Sequence, residues 1–279
     1  MASVSELLKL SAQLQSVSDS PQLDCELLLG HVLDVDRTWL RTWPESQVAE
    51  DQQMLFERLL QKRCQGQPVA YLTGSRGFWS MDLSVSPDTL IPRPETELLV
   101  EIALQLKLPK HSRGLDLGTG TGAIALALAS ERKDMQWLAV DSESGAVQLA
   151  RNNCHQQQLT NVSVFQSSWF EAINAADNKF DLITSNPPYI AHDDPHLSQG
   201  DVRFEPASAL VSGADGLDDI TLIVHQSPAF LNSRGWLLLE HGYNQGEAVS
   251  DLMLCAGFSD VSTQQDYNQL DRVTLGQWK

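Results

Sequence analysis

Positive charge is scarce in this chain, and so is any ordered use of cysteine. Lys and Arg total 19 against 36 Asp and Glu, a formal net charge of −17 at pH 7. Proteins that grip nucleic acid present Lys/Arg patches to neutralise phosphates. The densest basic stretch here is Lys62-Arg63, so direct nucleic-acid binding is not expected. Cys25, Cys64, Cys154 and Cys255 are scattered and form no C-x-x-C pair. That suits reduced cytoplasmic thiols better than a disulfide framework or a zinc site. No run approaches ~20 uninterrupted apolar residues, so no membrane span is expected. Met1 to Leu14 lacks the basic and apolar regions of a secretory signal, which makes a cytoplasmic location the expectation.

Two familiar nucleotide fingerprints are also missing. The turn Gly118-Thr119-Gly120-Thr121-Gly122 lacks the G-x-G-x-x-G spacing of dinucleotide sites, and no G-K-[ST] follows it. It nevertheless joins an apolar strand, Arg113–Leu117, to the helical run Ala123–Ala129. Glycines at such a turn let a ligand approach the main chain closely. Asp116 just before it would repel a pyrophosphate and welcome an ammonium. Asp141, about 20 residues on and at the end of the next strand, stands where a carboxylate accepts from ribose hydroxyls. A nucleoside carrying an amino acid satisfies all three features, and S-adenosylmethionine is such a molecule.

What is present most distinctively is Asn186-Pro187-Pro188-Tyr189, directly after the apolar strand Phe180–Ser185. Neither proline has an N–H to donate, so the ladder must stop and a stiff extended turn begins. Asn186 offers a carbonyl acceptor and an NH2 donor, and Tyr189 offers a flat aromatic face. The cluster can hold a planar group bearing an NH2: a carboxamide, or a nucleobase with an exocyclic amine.

The chain divides into parts of different periodicity. From Val4 to about Gly66 apolar residues recur at helical spacing, as at Leu23, Leu27 and Leu28 and again at Leu55, Leu59 and Leu60. Ser20-Pro21 and Trp43-Pro44-Glu45 mark helix junctions. A small helical domain is expected over 1–75 and a hairpin linker over 76–92. From 93 to 279 strands alternate with helices, the pattern of a doubly wound, mostly parallel α/β sheet. Strands are expected near 113–117, 136–140, 162–166, 181–185 and 235–240, with two more at 259–265 and 272–277. In such a sheet ligands bind beyond the carboxyl ends of the strands. Gly118–Gly122, Asp141, Ser168-Trp169 and Asn186–Tyr189 all fall there.

The pairing of Asp116–Gly122 with Asn186–Tyr189 resembles the Rossmann-like class I S-adenosylmethionine-dependent methyltransferases of amide or amino nitrogens. Ile91-Pro92-Arg93-Pro94-Glu95-Thr96-Glu97, Asp201–Pro206, Ala209-Leu210 and Leu237–Gly242 narrow the likeness. Together they resemble the PrmC/HemK family, the peptide-chain release factor N5-glutamine methyltransferases. The resemblance covers nearly the whole chain. It implies a methyl acceptor in the Gly-Gly-Gln glutamine of a class 1 release factor, and an antiparallel strand inserted near the end of the sheet. The 1–75 domain, with no chemistry of its own, is the expected substrate-recognition element, and a monomer is the expected state.

The implied site is then specific. Asp116, Gly118, Thr119, Gly120, Thr121, Gly122, Asp141, Trp169 and Asn186 are the candidate cofactor contacts, with Trp169 packing on adenine. The family commonly has an acid before that tryptophan; Ser168 stands there instead and accepts without charge. Asn186, Pro187, Pro188 and Tyr189 are the candidate substrate contacts, with Asn186, Pro187 and Tyr189 at the chemistry. The Asn186 side-chain oxygen and the Pro187 carbonyl would accept from the substrate NH2, and Tyr189 would pack on the carboxamide. Neither a general base nor a metal is called for, and His192-Asp193-Asp194-Pro195-His196 reads as an exposed loop. Arg93, Glu95 and Glu97 fit either the mouth of the site or a plain helix start. Arg203 and Glu205 are expected to pair, and Glu240-His241 to sit on the rim. Two other substrates remain open: a ribosomal-protein glutamine, and a flipped DNA or RNA base.

Overall fold

The computed structural model describes residues 2–279, which form two compact units. The first comprises the chain through Ser75 together with Pro195–Phe204. Its helices are α1 (Val4–Leu8), α2 (Pro21–Leu33), α3 (Arg37–Thr42), α4 (Glu50–Cys64) and α5 (Val69–Thr73). Local chemistry sets their ends. Ser3 and Glu6 close a capping box on α1, and Pro21 occupies the first turn of α2. The Asp36 carboxylate accepts from Trp39 N at 2.7 Å to start α3. In α4 Glu50 and Asp51 open the helix and Lys62 and Arg63 close it, each favourable to the helix dipole. Leu28, Leu29, Leu40, Phe56 and Leu60 are buried together as the core of this unit.

Residues 195–204 enter this unit through one buried cation. The Arg63 guanidinium donates to Asp24 at 2.7 Å and to Asp201 at 2.9 Å. The Gly66 and Gln67 carbonyls accept from the same group. The sequence places the boundary of the helical part at 75 and misses this segment, because the tie to Asp201 spans 138 positions.

The second unit holds Arg76–Asp194 and Glu205–Lys279. The hairpin β1 (Ser75–Phe78) and β2 (Met81–Ser84), expected as a linker, contributes to the core of this unit: Phe78, Met81 and Leu83 are buried with Leu99 and Val100 of α6 (Glu97–Gln105). The main sheet contains β3 (Arg113–Leu117), β4 (Gln136–Asp141), β5 (Val162–Gln166), β6 (Phe180–Ser185), β7 (Leu231–Glu240), β8 (Ser259–Gln265) and β9 (Asp271–Gln277). Their spatial order is β5-β4-β3-β6-β7-β9-β8. The first five run parallel, and β9 lies antiparallel between β7 and β8. The doubly wound α/β sheet is as expected, including the inserted antiparallel strand.

Helices α7 (Ala123–Glu131), α8 (Ser144–Gln156), α9 (Asp218–Gln226) and α10 (Gly246–Ala256) complete the unit. Every residue of α7 from Ala123 to Ala129 is buried, as for a helix enclosed by other elements. The order of strands reverses between β3 and β6, where Leu117 and Ser185 are register partners. The crevice at such a switch point is the ligand-binding position of this fold class. The glycine turn leaves one of these strand ends and Asn186 leaves the other. Among the described residues, no helix is long and apolar enough to cross a membrane.

Candidate active site

A cleft opens beyond the ends of β3, β4 and β6, wholly within the second unit. Gly118, Thr119, Gly120, Thr121, Asp141, Ser168, Trp169, Asn186 and Pro188 line it. The glycine turn forms its floor. Gly118 and Gly122 have φ of +65° and +87°, a region unfavourable to other residues. A Cβ at Gly122 would lie 3.0 Å from Leu126, and one at Gly118 would lie 3.3 Å from the Trp169 ring. Thr119 N donates to the Val140 carbonyl at 2.9 Å, and the buried Asn153 amide donates to the Thr121 carbonyl at 2.8 Å. The turn is thus anchored from β4 and α8 with its backbone exposed to the cleft.

Asp141 is the acid of this floor. One carboxylate oxygen accepts from Gly120 N at 2.8 Å and the other from Glu143 N at 3.0 Å. Each oxygen keeps a lone pair for a further donor. Burial pushes the Asp141 carboxyl above its ordinary range, and the two amides counter that in part. Trp169 forms the adjoining wall in a left-handed conformation, φ +46°. Strain of this kind in a bulky residue persists only where neighbours over-determine it. The Ser167 hydroxyl donates to the Trp169 carbonyl at 2.9 Å, and the indole N–H donates to Asp219 at 3.2 Å.

Asp116 takes a different place from the one expected. It is fully buried behind the turn and not on the cleft wall; Thr119 and Thr184 hydroxyls donate to its two oxygens at 2.6 and 3.0 Å. Burial pushes its carboxyl up to about 7 against the lowering effect of those two hydroxyls. It therefore braces the glycine turn from beneath. Gly122 likewise shapes the turn without lining the cleft.

The acceptor turn splits in the same way. Asn186 and Pro188 face the cleft, whereas Pro187 is buried and Tyr189 is not part of the wall. The Tyr189 ring packs against the core around Leu239, and its hydroxyl reaches Glu240 at 3.4 Å. Its carbonyl accepts from the Gln245 amide at 3.1 Å. Burial raises the phenol well above its usual value, and the neighbouring Glu240 adds to the shift. The Asn186 Nδ2 donates to the Thr96 hydroxyl at 3.2 Å, leaving Oδ1 available as an acceptor.

Several residues that complete the site escaped the sequence reading. Thr96 is one, passed over among its charged neighbours in Pro94–Glu97. Glu205 is another, and it pairs with Arg93 and not, as expected, with Arg203. The buried Glu205 carboxylate accepts from Ile91 N at 3.0 Å and from the Arg93 guanidinium. Arg203 belongs to the other unit, where its guanidinium covers the Phe204 ring and donates to the Gln65 carbonyl. Arg93 and Pro92 line the cleft, so Glu205 pins one wall. Glu97 instead caps the hairpin, accepting from Trp79 N at 2.8 Å. Glu240 and His241 are buried and not on the rim.

The residues present fit S-adenosylmethionine. Bare backbone at Gly118 and Gly120 and the carboxylate of Asp141 suit its nucleoside, and Trp169 with Ile124 gives the base an apolar wall. When bound, the group supplies a methyl on a sulfonium.

The comparisons agree with this geometry. The PrmC N-terminal domain family matches residues 7–74, and the methyltransferase small domain family matches residues 94–213. A release factor glutamine methyltransferase of Aliivibrio fischeri is 50% identical over 99% of this chain and 98% of its own length. That of Escherichia coli is 51% identical over 96% of this chain and 95% of its own. In fold, a Pyrococcus furiosus methyltransferase aligns at a TM-score of 0.55 with 15% identity, over 79% of this chain and 98% of its own. Identity near half, sustained along both chains and carried by both the helical and the sheet unit, settles the lineage: this chain belongs to the release factor glutamine methyltransferase family.

Proposed function

We propose that this protein moves the methyl of S-adenosylmethionine onto the side-chain amide nitrogen of the Gly-Gly-Gln glutamine in a class 1 release factor. One observation carries the reading: Asn186, oriented by Thr96, shares a cleft with the Gly118–Gly120 backbone and Asp141. Cofactor and acceptor elements leave adjacent strand ends, so a nitrogen held by the second lies near a methyl held by the first.

An amide nitrogen is a poor nucleophile because its lone pair is delocalised into the carbonyl. The chain's contribution is therefore orientation and charge stabilisation. Asn186 Oδ1 accepts from the substrate NH2, and the main-chain carbonyl of Pro187, although that residue is buried beside the cleft, is the second acceptor. They turn its lone pair toward the methyl and stabilise positive charge as it develops. The N–H becomes strongly acidic once the nitrogen is methylated, so its proton leaves to solvent without a dedicated base. Tyr189 acts from behind the turn, fixing its course through Glu240 and Gln245. The Glu205 clasp on Arg93 and Ile91 keeps the wall closed against water. The helical unit, with no cleft residue of its own, serves recognition of the release factor, and the chain works as a cytoplasmic monomer.

The test is mass spectrometry of a release factor after incubation with the protein and S-adenosylmethionine. One added methyl, located by fragmentation on the glutamine side chain, is expected; a methyl on any other atom, or none, contradicts the proposal.

A further inference from the structure

β7 ends in a carboxylate without a full set of partners. Glu240 is 1% exposed, and its Oε2 has no hydrogen-bond partner. A buried polar atom left unpaired is costly to the fold, so a leucine there would favour it more. Its position is informative. Ser185 and Leu239 are register partners across β6 and β7, so Asn186 and Glu240 are the next residues along each strand. Glu240 Oε1 accepts from the Tyr189 hydroxyl at 3.4 Å. One end of the acceptor turn, Asn186, is held by Thr96; the other, Tyr189, is linked back to a side chain on β7.

We propose that Glu240 is a positioning residue for methyl transfer, clasping the acceptor turn at Tyr189. The idea rests on the function proposed above. Glu240 touches neither the cleft nor the reacting nitrogen; it acts on the angle at which Asn186 Oδ1 meets the amide. A clasp of this kind affects turnover, since misdirected acceptors still bind substrate but present it poorly. It accounts for a carboxylate kept where packing alone would place an apolar residue.

The test compares Glu240→Leu and Glu240→Gln with the unaltered chain on an intact release factor. Cofactor affinity is read by titration with S-adenosylhomocysteine and stability by thermal melting. For Glu240→Leu, kcat should fall about tenfold or more, with KM and cofactor affinity within about twofold and melting unchanged or higher. Glu240→Gln, which keeps a carbonyl acceptor for Tyr189, should recover kcat to within about threefold. If Glu240→Leu does not fold, Tyr189→Phe cuts the same link and should lower kcat about fivefold at unchanged cofactor affinity. Turnover within twofold of normal in Glu240→Leu, equal losses in both Glu240 variants, or a loss carried by cofactor affinity would overturn the inference. An unaltered chain that leaves the release factor unmethylated would instead overturn the function on which it rests.

Discussion

The Asn186 side chain donates to the Thr96 hydroxyl at 3.2 Å, across 90 positions of sequence. This bond decides which end of the amide faces the substrate. With Nδ2 occupied, Oδ1 is the remaining acceptor, and an acceptor is what a substrate NH2 requires. Asn186→Ala should lower kcat by about 100-fold, near 3 kcal/mol of barrier, the usual scale for a preorganised polar contact. Cofactor affinity, measured with S-adenosylhomocysteine, should stay within a few-fold of normal. Near-normal turnover in this variant would remove Asn186 from the chemistry.

Glu205 makes a second prediction, behind the Pro92-Arg93 part of the cleft wall. Its buried carboxylate holds both the Ile91 amide and the Arg93 guanidinium. Glu205→Leu would leave a half-buried cation and a buried N–H without that acceptor, a loss of about 2–4 kcal/mol. Thermal melting should drop accordingly, and cofactor binding should weaken because Pro92 and Arg93 line the cleft. Arg93→Met with intact Glu205 should have the milder effect, since the Ile91 bond survives.

How much of this was legible in the sequence follows the range of each interaction. The central strands were readable because a parallel sheet demands apolar runs, and the bounds of β3, β5 and the more polar, antiparallel-paired β8 are as expected. The glycine turn and Asn186 were readable because a local backbone requirement is written in consecutive residues. Thr96, Glu205 and Asp201 were not, because each acts on a partner roughly 90 or more positions away. Asp116 was read as a ligand contact; only the packing of Thr119 and Thr184 around it reveals a brace. Tyr189 gave the same lesson: its aromatic face suggested the cleft, but its hydroxyl turns to Glu240.

Asp116 predicts a pH dependence of stability. Its folded value is raised from 3.8 to about 7 by burial, so the native state holds a proton that the unfolded chain releases. That contribution is complete below about pH 4 and is lost as pH rises through about 7. Glu240 has the same sign, raised to about 7. His241 has the opposite one, since burial lowers it below 6.5 and stability rises as that ring deprotonates. Comparing Asp116→Asn with the unaltered chain isolates the first term. The variant should lose the least at high pH, so its stability relative to the parent should climb between pH 4 and 8 in denaturant titrations. A constant difference across that range would contradict the assignment.

Gly118 offers a geometric test of the cleft. A methyl at this position would sit 3.3 Å from the Trp169 ring and would strain a backbone at φ +65°. Gly118→Ala should cost about 1–2 kcal/mol in stability and weaken cofactor binding by displacing the indole. Trp169→Phe, which removes the bond to Asp219 but not the packing, should bind more weakly than the parent and better than Gly118→Ala. Fluorescence titration with S-adenosylhomocysteine separates these cases.

The helical unit is best probed through Arg63 and not by deletion. Removing residues through 75 would strip the partners of Asp201 and leave 195–204 without its unit. Arg63→Met leaves the buried Asp24 carboxylate uncompensated, a loss of about 3–5 kcal/mol. A melting transition that separates from that of the sheet unit is the expected result. A single transition at the parental temperature would show that this cation contributes little.

The most direct measurement is transfer of labelled methyl from S-adenosylmethionine in parallel reactions. The acceptors are a class 1 release factor, its Gly-Gly-Gln→Gly-Gly-Ala variant, ribosomal protein and nucleic acid. Label should enter the intact release factor alone and disappear when the glutamine is replaced. Label in the Gly-Gly-Ala variant, in ribosomal protein or in nucleic acid would contradict the account.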